Sequence, residues 1–409
     1  MPSPEPPLLP PQPDPTARTL LVSLSGRDRP GVTSAVFEAA STVGATVLDV
    51  EQVVVRGHLA LSVLLSPGTD ENVLTDRLTR AGEALGMTVD LVVGRGDNAR
   101  RRTGRAAVVV MGAPLETRHV AAVARSVAEH GANIDRIRRL SRWPVTTVEL
   151  DVSGADLPRM RRDLALVSAE TGCDIAVAPA GLARRGARLV VLDVDSTLIQ
   201  DEVIELIAEH AGTAAEVAAV TERAMAGELD FAESLHARVA TLAGLPVAVL
   251  DEVRGSVRLS PGARTLVRTL KALGFTVALV SGGFAEVVEP IGAELGVDHV
   301  RANRLEVRDG VLTGRVVGTV VDRPGKAAAL REFAEIEGLP LSRTVAIGDG
   351  ANDLDMLGVA GLGVAFNAKP VVREQADTSV NVPYLDTVLF LLGVSREEIE
   401  DAEGLTEPG

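Results

Sequence analysis

Cysteine, aromatic residues and lysine are all scarce in this chain, and each scarcity excludes something. A single cysteine, Cys173, among 409 residues rules out an internal disulfide framework and suits a reducing cytosol. Nothing beside it in the sequence would activate a catalytic thiol, so it reads as a small packing residue. Aromatics make up 2% of the chain, so the cores must be built from Val, Leu, Ala and Ile. No uncharged apolar run reaches the ~18 residues of a membrane span. The Pro-rich residues 1–17 have neither the basic region nor the apolar centre of a signal peptide and read as a disordered arm. Positive charge is also in deficit: 41 Lys+Arg against 56 Asp+Glu leave a net charge of −15. That argues against a nucleic-acid partner, whose phosphates demand basic stripes. Almost all of the excess falls on residues 182–409. An anionic ligand approaching that half needs local cations to overcome the field.

What is present is enough for two or three globular domains. Between Thr19 and Pro179 the chain runs twice through one programme. The first copy is expected as strand Thr19–Ser25, helix Val32–Thr42, strands Val47–Val55 and Leu59–Leu65, helix Asn72–Leu85 and strand Thr88–Val93. The second is expected as Ala106–Met111, Arg118–His130, Ile134–Arg139, Val145–Val152, Leu157–Thr171 and Asp174–Ala178. Both are βαββαβ, the ferredoxin-like order, with a Gly- and Arg-rich linker at Gly94–Arg105. From Arg188 the pattern becomes alternating strands and helices, with strands at Leu189–Val194, Thr276–Ser281, Thr344–Gly348 and Gly361–Ala365. This predicts a doubly wound parallel α/β sheet. The helical stretch 203–258 reads as an inserted cap. The expected domains are therefore 18–94, 106–180 and 186–393, followed by a frayed acidic tail at 395–409.

The chemistry gathers at strand ends. An apolar strand runs out into Asp193-Val194-Asp195-Ser196-Thr197, and a second into Gly348-Asp349-Gly350-Ala351-Asn352-Asp353. Successive strand side chains point to opposite faces, so Asp193 and Asp195 converge only if the backbone turns at once. Two acidic strand ends at the carboxyl edge of one sheet suit a hard, oxygen-preferring cation such as Mg2+, which points to phosphoryl chemistry. The second loop lacks the ligand spacing of an EF-hand. Ser281-Gly282-Gly283, at a strand-to-helix turn, offers a hydroxyl and glycine N–H groups as an anion site. Lys326 is one of three lysines in an arginine-using chain, a compact point charge where a guanidinium is wide. In the cap, Arg238 can grip a carboxylate, Glu202 can accept an ammonium, and Met225 and Phe231 can exclude water. Such a set suits a small zwitterion.

Taken in order, Asp193–Thr197, Ser281, Lys326 and Gly348–Asp353 resemble the four motifs of the haloacid dehalogenase superfamily. The cap segment resembles that of the phosphoserine phosphatases, and the likeness spans residues 186–393. The resemblance implies Asp193 as nucleophile and Asp195 as general acid and base. It implies Mg2+ held by Asp193, the backbone carbonyl of Asp195 and Asp349, with Asp353 supporting, and Lys326 stabilising phosphoryl charge. Asn352 becomes a phosphate or substrate contact, and O-phospho-L-serine the substrate, in the last step of serine synthesis. The first copy resembles an ACT domain, an amino-acid-binding module, through Gly26-Arg27-Asp28-Arg29-Pro30-Gly31 and Gly44-Ala45-Thr46-Val47. That implies an effector such as serine at Asp28 and Gly31, and a homodimer or higher homo-oligomer. The second copy has Pro114-Leu115-Glu116-Thr117-Arg118 in place of that turn and is the weaker candidate for a ligand. A purely structural, dimerising pair stays open for the two copies. Other readings also stay open: another phosphomonoester or a phosphoprotein as substrate, transfer to another alcohol, or an amino-acid sensor with an inert phosphatase half.

Overall fold

The computed structural model describes residues 16–96, 103–180, 186, 189–225 and 228–404, the side chains of Met225 and Glu403 excepted. Most of the expected N-terminal arm, part of the linker and the Met225 side chain thus lie outside the described residues. The chain divides into two compact units, Met1–Arg102 and Thr103–Gly409.

In the first unit, β1 (Arg18–Arg27), α1 (Val32–Ser41), β2 (Thr46–Val55), β3 (His58–Ser66), α2 (Glu71–Ala84) and β4 (Thr88–Arg95) form the expected ferredoxin-like module. Its antiparallel sheet has the order β2-β3-β1-β4. Alternation puts Leu20, Val22 and Leu24 of β1 and Leu59, Leu61, Val63 and Leu65 of β3 on one buried face under Val36, Leu74 and Leu78. Asp70 caps α2 by accepting from the N–H groups of Asn72 and Val73, both at 3.1 Å. The linker begins later than expected, because Gly94 and Arg95 still pair with Thr19 and Arg18.

The second unit opens with the second module: β5 (Ala106–Gly112), α3 (Thr117–Glu129), β6 (Asn133–Ser141), β7 (Thr146–Ser153), α4 (Leu157–Thr171) and β8 (Asp174–Pro179), in sheet order β6-β7-β5-β8. Every residue of β5 is buried, so both faces of this sheet are covered. Helices cover one. On the other, Val109, Met111, Leu140, Val145 and Ala176 join the core of the following α/β body. Asp174 accepts from Asn381 through its N–H at 2.7 Å and its Nδ2 at 2.6 Å, and Arg161 pairs with Asp377 at 2.5 Å. What the sequence presents as two domains packs as one unit.

The body carries a seven-stranded sheet: β9 (Leu189–Leu192), β10 (Thr276–Phe284), β11 (His299–Arg308), β12 (Val311–Val317), β13 (Thr344–Gly348), β14 (Leu362–Phe366) and β15 (Thr378–Val380). Its order is β12-β11-β10-β9-β13-β14-β15, and all neighbours are parallel except β11 and β12. Between β9 and β10 the cap contributes α5 (Val203–Ala211), α6 (Ala214–Met225), α7 (Phe231–Ala240) and α8 (Val249–Ser256). The body adds α9 (Ala263–Ala272), α10 (Ala285–Leu295), α11 (Arg323–Ile336), α12 (Leu354–Val359), α13 (Pro370–Arg373), α14 (Val388–Leu391) and α15 (Arg396–Gly404). The doubly wound expectation holds, because one sheet face packs Val191 and Ala346 with Leu330 and Phe333 of α11, and the other packs Val190 and Ile347 with Leu266 of α9.

Three details depart from the sequence reading. Strand β9 stops at Leu192, and a tight π turn takes over at Val194–Leu198. The acidic tail, expected to fray, is helical in α15, with Ile399 fully buried and Arg396 reaching Asp386 at 3.4 Å. The β11–β12 hairpin grips the cap: Gly244 N–H donates to Leu312 O and Leu312 N–H to Leu245 O, both at 2.8 Å, and Val247 N–H donates to Gly310 O at 2.9 Å. Among the described residues, no helix is long and apolar enough to cross a membrane.

Candidate active site

The turn that the sequence requires after β9 is supplied by Ser196, whose φ of 55° is left-handed and reverses the chain. It brings Asp193 and Asp195 into one cavity of about 310 Å3 with Glu202, Phe231, Arg238, Gly282, Gly283, Lys326, Asp349 and Asn352. The sequence thus named most of the lining.

At the floor, the Lys326 ammonium donates to Asp193 Oδ1 at 2.6 Å and to Asp353 Oδ1 at 2.7 Å. All three side chains are nearly or fully buried. Burial penalises the lysine's charge, but the two carboxylates outweigh that and hold it above the usual lysine range. Asp193 is pushed well above the carboxylate range, by burial first and then by the Asp353 charge. Asp349 rises to about 6 for the same two reasons. Thr197 donates to Asp349 Oδ1 at 3.2 Å, and Gly350 N–H to Asp353 Oδ2 at 2.9 Å. Gly348 has to be glycine, because a Cβ there would lie 2.5 Å from Asp353 Cγ.

Asp193, Asp349 and Asp353 each offer a carboxylate oxygen within 4.8 Å of the others'. One ammonium cannot offset three such charges, and the surplus adds to burial in raising Asp193 and Asp349. An all-oxygen donor set with uncompensated negative charge fits a hard divalent cation.

Asp195 sits one turn away. Its Oδ1 accepts from Val203 N–H, at the start of α5, at 2.8 Å, and its Oδ2 accepts from Ser281 Oγ at 3.0 Å. Burial raises this carboxyl against those hydrogen bonds. Ser281, read from the sequence as part of an anion site, meets Asp195 here. The residue is fully buried, its hydroxyl is committed to Asp195, and Gly283 N–H donates to that hydroxyl at 2.7 Å. Ser281 thus bonds Asp195 directly, with the Gly283 N–H behind its hydroxyl. Gly282 keeps its place in the lining, with Phe231 Cζ 3.2 Å from where a Cβ would stand.

The cap wall sets two charged side chains, Glu202 and Arg238, among apolar ones. Glu202 accepts from Ser196 Oγ at 2.9 Å. The residue is exposed at the cavity mouth, yet its carboxyl is hemmed in by protein, and burial with the Asp195 charge raises it to about 7. Arg238 projects from α7, with Nε donating to Ser234 O at 3.4 Å. Burial lowers its pKa against the pull of Glu202, Asp195 and Glu205. No described carboxylate reaches it at ion-pair distance, which leaves its fork for a ligand. Several residues in or beside the site were given no role by the sequence, Ile204, Leu235 and Phe284 of the lining among them. Thr197 stood inside the first motif, and Lys369, one of the three lysines, lines the cavity with Val371 and Val372. Asp28 and Gly31 lie in the other unit. Asp28 is exposed with its N–H donating to Gly57 O at 2.8 Å, and Gly31, with φ 96°, precedes α1, which has no side-chain cap.

Comparison with known proteins identifies the family. A haloacid dehalogenase-like hydrolase profile matches residues 190–358, and ACT domain profiles match 18–92 and 105–178. The phosphoserine phosphatase of Streptomyces coelicolor is 56% identical over 391 residues, covering 95% of both chains. The chain belongs to the phosphoserine phosphatase family. A second member, phosphoserine phosphatase SerB2 of Mycobacterium tuberculosis, is 53% identical over 397 residues, 95% of this chain and 96% of its own. The structure of a probable phosphoserine phosphatase from Vibrio cholerae, in unliganded form, is 34% identical over 74% of this chain and 89% of its own, with a TM-score of 0.56. Within the phosphoserine phosphatase family, then, this chain carries two ACT domains ahead of its hydrolase body.

Proposed function

We propose that the chain hydrolyses O-phospho-L-serine to L-serine and phosphate in the cytoplasm, with Mg2+ as cofactor and Asp193 as nucleophile. The observation that carries this reading is the buried Asp193–Lys326–Asp353 cluster at the floor of a small cavity whose cap wall holds Glu202, Phe231 and Arg238. Lys326 engages Asp193 Oδ1, leaving Oδ2 to attack phosphorus. The new O–P bond gives an aspartyl phosphate as the ester O–P bond breaks. Asp195, raised by burial, is suited to give its proton to the departing serine oxygen and then to take one from the hydrolytic water. Asp193, the backbone carbonyl of Asp195 and Asp349 would hold Mg2+, with Asp353 supporting them; when bound, it offsets the repulsion between carboxylate and phosphate. Glu202 and Arg238 would receive the ammonium and carboxylate of the amino acid, Phe231 and Met225 would exclude water, and Asn352 would contact the phosphate.

An amino acid such as serine binding near Asp28 and Gly31 would make the first module regulatory, and pairing of modules would make a homodimer or larger assembly. The decisive experiment is phosphate release from O-phospho-L-serine with Mg2+, beside EDTA and Asp193→Asn controls. Release abolished in both controls is expected. A kcat/KM for phosphoethanolamine, which lacks the carboxylate, equal to that for phosphoserine would overturn the reading of Arg238.

A further inference from the structure

The cap leaves the α/β body at Gln200 and returns at Arg258, and one residue pair stitches the two strands of this root together. Arg258 reaches Asp201 through four hydrogen bonds: backbone N–H to Oδ2 at 2.8 Å, Nε to Oδ1 at 3.2 Å and to Oδ2 at 3.4 Å, and Nη2 to Oδ1 at 2.5 Å. Gln200 N–H donates to Arg258 O at 2.9 Å, and Ile199 and Leu259 form an antiparallel bridge. Asp201 is tied at its other end too, its carbonyl accepting from Ser196 N–H at 3.4 Å. The next two residues are Glu202, which accepts from Ser196 Oγ, and Val203, whose N–H holds Asp195 Oδ1. The Asp201 side chain is 9% exposed and that of Arg258 67%. With the arginine open to solvent the pair contributes little to global stability, yet four hydrogen bonds fix it one residue from the cap wall.

We infer that Asp201 and Arg258 are positioning residues for the reaction. By fixing the backbone from Asp201 to Val203 at the cap's root, they hold the Val203 N–H against Asp195 and the Glu202 carboxyl against Ser196. Neither touches substrate; both act through Asp195 and Glu202. The inference rests on the reading of Asp195 as the acid that protonates the leaving serine oxygen.

The test compares wild type, Arg258→Gln, Arg258→Lys, Asp201→Asn and the Asp201→Asn/Arg258→Gln double variant on two substrates. O-Phospho-L-serine expels an alkoxide that needs a proton. p-Nitrophenyl phosphate expels a stable phenolate that does not, so its pre-steady-state burst reports phosphoryl transfer to Asp193 without the acid. Arg258→Gln is expected to lower kcat on phosphoserine about tenfold or more, with the nitrophenolate burst rate held within about twofold. Arg258→Lys should recover part of the loss, and the double variant should be no worse than either single, as for groups acting as one unit. Unchanged kcat on phosphoserine in both Arg258→Gln and Asp201→Asn overturns the inference. So does an equal loss on both substrates, which marks general damage. Should Arg258→Gln fail to fold, the near-isosteric Asp201→Asn gives the same readout. Failure of the underlying functional reading shows separately, as a wild-type chain that releases no phosphate from phosphoserine.

Discussion

At Lys326 one ammonium, 1% exposed, serves two buried carboxylates. Replacing it by Met leaves Asp193 and Asp353 without a partner, and breaking a buried pair this way costs about 3–5 kcal/mol. Lys326→Met should therefore lose stability of that order in urea unfolding, as well as phosphate release. Glu202 makes a pH prediction. Its carboxyl is raised from 4.5 to about 7, so the folded chain binds that proton more tightly than the unfolded one. Folding stability should accordingly fall as pH rises from 4.5 to about 7. An ammonium acceptor must be ionised, so kcat/KM for phosphoserine should drop as pH falls below about 7. Glu202→Gln should lower kcat/KM throughout and remove that limb of the profile. Residue types announced themselves well at this scale: a chain with three lysines betrays the one at its centre. What residue type could not show was that the Ser281 hydroxyl meets Asp195, because a hydroxyl beside two glycines looks the same with or without a neighbouring carboxylate.

The elements that sequence patterning captured are those with a single periodicity. In β1, Leu20, Val22 and Leu24 alternate with Ser23 and Ser25, and the strand follows directly. β11, β12 and β15 escaped because their patterns are broken: β11 mixes Arg301, Asn303, Arg304 and Glu306 among its apolar residues, and β15 is three residues long. The missed hairpin matters, since it fixes the end of α7, the helix that carries Arg238 and Phe231. Gly314, with φ 79°, would place a Cβ 2.9 Å from Ala243 Cβ and 3.2 Å from Ala240 O. Gly314→Ala is thus both strained and crowded against the cap. It should raise KM for phosphoserine by more than it lowers kcat, because the wall that binds the amino-acid head shifts while the Asp193 floor does not.

For the molecule as a whole, the two ferredoxin-like modules share a chain order but not a setting. The sequence carried a sign of this. Ala106-Ala107-Val108-Val109-Val110-Met111 is apolar without interruption, as in a strand covered on both faces, where β1 alternates. The boundary near residue 185 was legible as a change of pattern, but not as the absence of a gap, because the partners of Met111 and Leu140 lie far along the chain. Removing residues 1–102 should leave a folded unit with phosphoserine activity. Removing residues 1–185 uncovers the surface that packs on Val109, Met111, Leu140, Val145 and Ala176, and should lower Tm and promote aggregation. Gel filtration and thermal melts of the two truncations check this directly.

The scarcity of lysine also turns the burial of Lys326 into an analytical handle. Lys369 is exposed and Lys271 is partly so, paired with Asp298. An amine-directed acylating reagent would therefore tag those two side chains at once and leave the third untouched in the closed protein. Each modified Lys326 found by mass spectrometry would then record one excursion in which the cavity floor became accessible, timing the opening of the site without a reporter group.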